Sequence, residues 1–500
     1  MLLLIAFLFP MIAGVVASVW PGLSGKTRKV LYAGIMLITD ALGIAAMRIG
    51  TPGTLFAISE QVRAQFRLDD VGRFALAAVL ILYTAVCFYA FSYMEKEERE
   101  SSFFAFYFVS LGAMIAVCMS GNLMTLYFSF ELATLSSVPL VLHEMTKDAV
   151  AAGMKYLFYS IAGALLGLLA VFFVYYYSAG SAEFVYGGFL DPAKTAGHES
   201  VLLVVLFLGI IGFGTKAGMY PMHGWLPTAH PIAPAPASAL LSGIIAKAGV
   251  VAVIRLVYYC AGADFLRGTW VQTAWLCLAM LTVFMGSMMA FQEKIIKKRL
   301  AYSTISQISY IMVALACLSD DGLKGGLLQL MAHMAAKGTL FLSAGVFICA
   351  LGFHEIHELK GIGKRLPVTM WCFMIAALSL VGIPPMGGFT SKWKIAAAAL
   401  GNGMGILSVL PPIVLLISAL LTAGYLFPVV IDAFFPGKGE AAGNASRKGI
   451  DPVYEGMSVI PENDDRSKPD LRMNAPMIAL CAAALAVGVF GTQIVGRMTL

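Results

Sequence analysis

Glu131, Lys216, Lys247, His333, Lys337 and Lys392 lie inside otherwise apolar runs of a 500-residue chain. A charge at the centre of a membrane-spanning helix costs about 2.5 to 3.5 kcal/mol even on the most lenient insertion scale, so such residues are kept where something polar must pass. What these side chains share is proton exchange. For a buried lysine such as Lys216 the physics is a switch: burial favours a neutral amine, a carboxylate brought near favours a charged one, and moving that partner changes where the proton resides. A static salt bridge pinning two helices is the alternative. His333 and Lys337, four residues apart, share one helix face and form a two-step relay, with a structural hydrogen bond as the competing role for His333.

The elements that must hold these groups are membrane helices. With 59% hydrophobic residues, 12% charged residues and a mean hydropathy of +0.84, the apolar supply exceeds what a soluble core can hide. The first apolar run, 1 to 20, has its basic residues after it and reads as a retained helix with the N-terminus outside. Eight cysteines fall singly, with no CxxC and no Cys/His pair at metal spacing. No iron-sulfur, haem or zinc site is visible, nor a glycine-rich phosphate loop, so the expectation is a chain that binds no cofactor and no metal and performs no bond chemistry. The HEIHE run at 354 to 358 lacks the HExxH spacing and reads as a solvated rim. The formal charge of +6 fits a bias of basic residues to cytoplasmic loops and gives no sign of nucleic-acid binding.

Apolar stretches of spanning length can be marked near 2–20, 30–49, 72–93, 103–120, 122–142, 151–177, 201–221, 236–260, 272–291, 300–318, 322–351, 367–399, 408–434 and 475–495, about fourteen in all. The predicted fold is an all-α polytopic membrane protein: a main bundle over 1–435 with a translocating core from about 103, a polar cytoplasmic loop at 436–472, and a last helix at 473–500. Lys26, Arg28 and Lys29, then Lys294, Lys297, Lys298 and Arg299, then Lys360, Lys364 and Arg365 fall in loops of one side, which predicts a bacterial cytoplasmic membrane with both termini outside.

Two apolar stretches carry prolines in mid-course, Pro221 and Pro227 in the first, Pro384 and Pro385 in the second. A proline in a helix frees carbonyls that lipid cannot satisfy, so these are expected to be broken helices lining protein or a wet cavity. Each has a lysine beside it, Lys216 and Lys392, as in two inverted five-helix repeats around a transport path.

The run GFGTKAGMYPMHGWLPTAHPIAPAPASALLSGIIAKAG (212–249) resembles the antiporter-like proton-translocating subunits shared by respiratory complex I, membrane-bound hydrogenases and Mrp-type sodium/proton antiporters. YFSFELATLSSVPLVL, KKRLAYSTISQISYIM, HMAAKGTLFLSAG and LKGIGKRLPVTMWCFMIAALSLVGIPPMGGFTSKW agree, covering roughly 68–435 in order. Phe130 stands where the family usually has Trp, and Thr228 where an acid often follows WLP. The resemblance implies an ion pair of Glu131 with Lys216, Lys247 as the central relay, His333 and Lys337 on the polar axis and Lys392 at its end. His223 and His230 border the first break and could bridge Lys216 to Lys247 or open a cytoplasmic inlet. It also implies partners: other membrane subunits, with iron-sulfur or NiFe peripheral subunits as candidates, and protons as cargo with sodium as a second candidate. Three rival readings stand beside it: a self-sufficient cation/proton antiporter, an inert scaffold, and a quinone reductase in its own right.

Overall fold

The computed structural model describes residues 1–57, 63–97, 99–180, 183–436 and 470–499. Its helices of seven residues or more are α1 (Leu2–Val19), α2 (Gly25–Ile49), α3 (Asp70–Tyr93), α4 (Glu100–Cys118), α5 (Leu123–Val141), α6 (Lys147–Tyr176), α7 (Glu199–Lys216), α8 (Leu226–Ile232), α9 (Ala235–Ala261), α10 (Trp270–Gln292), α11 (Ile296–Ala316), α12 (Asp320–Leu351), α13 (Pro367–Val381), α14 (Gly387–Leu400), α15 (Ile406–Phe434) and α16 (Leu471–Gly496). Polar residues at the edge of the apolar runs start them. Asp69, Asn122, Thr146 and Ser319 each accept a hydrogen bond from a first-turn amide, satisfying a donor that has no partner inside the helix.

Among the described residues, twelve helices are long and apolar enough to cross a membrane. The two expected stretches that fall short have physical reasons. Helix α11 buries a polar face of Ser303, Thr304, Ser306 and Gln307, and the 367–399 stretch is broken into α13 and α14. The all-α expectation needs one addition: an antiparallel hairpin, β1 (Gly53–Ala57) and β2 (Arg63–Phe66), occupies the loop read near 50–70. It is tied to the bundle by Gln65 N–H to Thr125 Oγ1 at 2.8 Å and Arg67 N–H to the Met119 carbonyl at 2.7 Å. The expected polar loop falls mostly on 437–469, outside the described residues.

Both expected interruptions are present. Helix α7 stops at Lys216 and α8 begins at Leu226, while α13 stops at Gly382, whose φ of 92° only glycine adopts readily, and α14 begins at Gly387. At the second break the halves meet backbone to backbone. A methyl group on Gly388 would fall 1.7 Å from the Ser379 carbonyl oxygen. Helix α12, buried along most of its length, is the hub, with α9, α11, α13, α14 and α16 packed round it.

Candidate functional site: a line of buried lysines

Lys216 is the last residue of α7, where the negative end of the helix dipole favours a cation. Its side chain is 1% exposed, and its ammonium lies over the rings of Phe130 (5.0 Å) and Tyr156 (5.6 Å). The expected ion pair with Glu131 is not closed. Lys216 donates instead to the Thr134 hydroxyl, one turn further along α5, and Glu131 Oε1 is buried without a hydrogen-bond partner. Phe130, the departure noted in the sequence, thus supplies one face of the lysine's aromatic cradle.

Lys247 follows a π-helical segment, Leu241–Ile245, that interrupts α9. Lys247 Nζ donates to a carbonyl of that segment, Ser242 O, at 2.6 Å. The Ser242 hydroxyl meets Thr304 Oγ1 at 2.7 Å, joining α9 to α11. Gly249 lets α9 close onto α7: a Cβ there would stand 2.4 Å from the Phe213 carbonyl and 3.2 Å from Lys216 Cβ. This glycine sets α9 directly against the last turn of α7, the turn that carries Lys216.

Lys337 donates to the Leu300 carbonyl of α11 at 2.9 Å. His333, one turn away on α12, is fully buried with neither ring nitrogen hydrogen-bonded, and it lies within electrostatic reach of Lys247, Lys337 and Lys392. Lys392 folds back from α14 onto the last carbonyls of α13, those of Leu380 and Val381, with its amine 4.9 Å from the Tyr310 ring centre. His230 on α8 is fully buried, stacked on Phe341 at 4.8 Å, with both ring nitrogens unpartnered and Lys297, Lys337 and Lys247 in reach. His223 is half-buried in the turn of the first break, stacked on Tyr220, with Lys155 as its charged neighbour and Nδ1 unpartnered. Pro221 is exposed in that turn, Pro227 starts α8 rather than interrupting it, and Pro384 and Pro385 are exposed in the second turn. Thr228 accepts from Lys155 Nζ at 3.0 Å.

Three features escape the sequence reading. Lys297, read as a loop charge, is 5% exposed on the first turn of α11 and donates to the carbonyls of Pro231 and Ala233. Asp40 is a second intramembrane carboxylate; its Oδ2 accepts from Thr84 Oγ1 at 2.8 Å and it lines a groove of about 930 Å³ between α2, α3 and α16. Arg255, 1% exposed in a second π-helical segment, makes two hydrogen bonds to Asp69, the cap of α3. Its guanidinium lies 4.4 Å from the Tyr259 ring centre. Only Lys297 left a trace in the sequence, since the residues at 297, 300, 301 and 304 form one helical face. The HEIHE run folds as a capped 3₁₀ turn in which His357 Nδ1 meets Glu355 at 3.0 Å. Among the described residues no three His, Cys, Asp or Glu side chains gather as a metal site.

A helical membrane bundle threaded by a line of titratable side chains, most of them buried, has the architecture of an antiporter-like subunit. The chain belongs to the NADH:quinone oxidoreductase/Mrp antiporter transmembrane family, whose pattern matches residues 120–419. It is 29% identical to NADH-quinone oxidoreductase subunit N of Desulforudis audaxviator over 86% of this chain and 83% of that protein. It is 30% identical to a Na(+)/H(+) antiporter protein of Bacillus subtilis over 72% of each, and 32% identical to hydrogenase-4 component B of Escherichia coli over 65% of this chain and 50% of that protein. In fold it superposes on a chain of the Mrp complex from Dietzia sp. with a TM-score of 0.80 at 23% identity, covering 99% of this chain and 96% of that one. It is an integral membrane protein and an antiporter-like subunit of this family.

Proposed function

We propose that this chain conducts protons, with sodium as the second candidate cargo, along the line Glu131, Lys216, Lys247, His333, Lys337 and Lys392, as one subunit of a larger membrane complex. One observation carries the reading. Lys216, Lys247, Lys337 and Lys392 all donate to a hydroxyl or a backbone carbonyl, and none of these bonds is to a carboxylate. A buried scaffold lysine needs a paired anion to repay its desolvation. An amine on a carbonyl keeps that hydrogen bond whether or not it holds its third proton, so it can load and unload without unlocking the fold.

On this reading the chain holds no cofactor. Moving one charge against the membrane potential costs about 2.3 kcal/mol per 100 mV, so the drive comes from partners, either redox subunits or an Mrp-like assembly working against a sodium gradient. The basic loops lie in the cytoplasm and both termini outside, in a bacterial cytoplasmic membrane.

The test is the native complex, tagged on this chain, purified gently and reconstituted in vesicles. Lys337→Ala is expected to lower proton flux per turnover by about a hundredfold or more, and unchanged flux in an assembled complex rejects the reading. Mass spectrometry of the same preparation identifies the drive: iron-sulfur or NiFe subunits mean redox coupling, small hydrophobic partners alone mean an Mrp-type antiporter.

A further inference from the structure

Lys297 stands apart from the lysines of the axis, at the end of the bundle where Lys294, Lys298 and Arg299 gather. Helix α11 is anchored there by a bridge in which Ile296 N–H donates to the His354 carbonyl at 3.0 Å and Ile356 N–H to the Lys294 carbonyl at 3.1 Å. Lys297 sits in the first turn, where the helix dipole disfavours a cation. It is nonetheless buried, and its amine reaches across to α8. The carbonyls it takes, Pro231 (2.8 Å) and Ala233, lie where α8 ends, the second of them also accepting from the Ser238 hydroxyl at 3.3 Å. His230, next to Pro231 in the chain, offers two unpartnered ring nitrogens. One turn further along α11 the Leu300 carbonyl holds Lys337. Lys297 is therefore coupled through backbone to both neighbours it would have to feed.

On the solvent side lies Glu144, half-buried in the loop that ends α5 and within electrostatic reach of Lys297. Burial holds its carboxyl above the usual range, Lys297 partly offsets this, and Glu97 adds to it. The other charged or titratable groups facing Lys297 are His354, which burial and Lys297 together push down to about 4, and His230.

We propose that Glu144 and Lys297 form the inlet pair that admits protons from this end of the bundle to His230 and the Lys337–Lys247 axis. The inference rests on the translocation reading above. The carboxylic acid of Glu144 gives its proton to the neutral amine of Lys297 and is reprotonated from water; the ammonium then gives a proton to the lone pair of a His230 ring nitrogen, and the amine is restored. A neutral amine still has two N–H bonds, one for each carbonyl, and its lone pair is left to receive the proton. The backbone break thus stays capped through the cycle.

The chemistry supplies its own test. Lys297→Arg keeps a cation able to donate to both carbonyls but cannot release a proton at any working pH. In the reconstituted native complex, Lys297→Arg and Glu144→Gln are expected to lower proton uptake about tenfold or more with assembly intact, and Glu144→Asp to restore much of it. Wild-type uptake in Lys297→Arg, alongside a Lys247→Arg control that has lost it, overturns the inlet and leaves the translocation reading standing. Wild-type uptake in both overturns the translocation reading and the inlet with it. Where Lys297→Arg does not assemble, Glu144→Gln decides: wild-type uptake in that variant overturns the inlet.

Discussion

Lys216 illustrates how much of the site a sequence carries. A lysine ahead of a proline-broken segment is conspicuous in apolar surroundings, and so is Glu131 on a helix of its own. Which acceptor the amine meets is not conspicuous, because Thr134 is one hydroxyl among many and its nearness to Lys216 depends on how α5 and α7 pack. The same limit hid Lys297, which sits in a basic cluster that looks like any loop flanking a helix. The Thr134 hydroxyl competes with Glu131 for the ammonium, and a hydrogen bond to a charged group is worth about 1.5 to 3 kcal/mol. Thr134→Val is therefore expected to shift Lys216 toward Glu131 and slow proton flux about tenfold, with the complex assembled normally. Flux equal to wild type would mean that the hydroxyl does not share in holding the ammonium.

At the level of elements, the broken helices were legible because proline and glycine punctuate apolar runs for steric reasons that hold in any protein. The π-helical segments were not, since LSGII and RLVYYCA carry no period or residue type that distinguishes them from ordinary α-helix. The second segment matters for the joint between α9 and α3. Burial alone would push the Asp69 carboxyl up, but the Arg255 guanidinium and the Gly72 amide hold it below the usual carboxylate range. A carboxyl with a depressed folded pKa contributes stability above its unfolded pKa of about 3.9 and loses it as pH falls through the folded value. Asp69→Asn keeps a side-chain acceptor for the α3 cap and removes the charge that pairs with Arg255. Breaking a buried pair from one side costs about 3 to 5 kcal/mol. The variant is thus expected to melt well below wild type in detergent at pH 6, with the gap narrowing as pH falls below about 4. A gap independent of pH would assign the effect to packing instead of charge.

The middle of the proposed line is closed on itself, while Glu131 and Lys392 at its ends are half-buried. Lys216 and Lys247 are 1% exposed, His230, His333 and Lys337 are fully buried, and the glycine contact at Gly249 and the backbone contact at Gly388 leave little slack between the elements that hold them. On the translocation reading, protons pass this enclosed middle only when helices shift, and each shift that carries charge works against the membrane potential at about 2.3 kcal/mol per 100 mV. On that same reading the work comes from a partner that biases Glu131 or Lys392 at either end of the line. The chain reconstituted alone, with an imposed pH gradient and a permeant counter-ion, is accordingly expected to pass protons no faster than protein-free vesicles, while the native complex in the same vesicles does so when its drive is supplied. Rapid gradient collapse through the lone chain, abolished by Lys247→Ala, would instead make it a self-sufficient antiporter and place the coupling device inside this bundle.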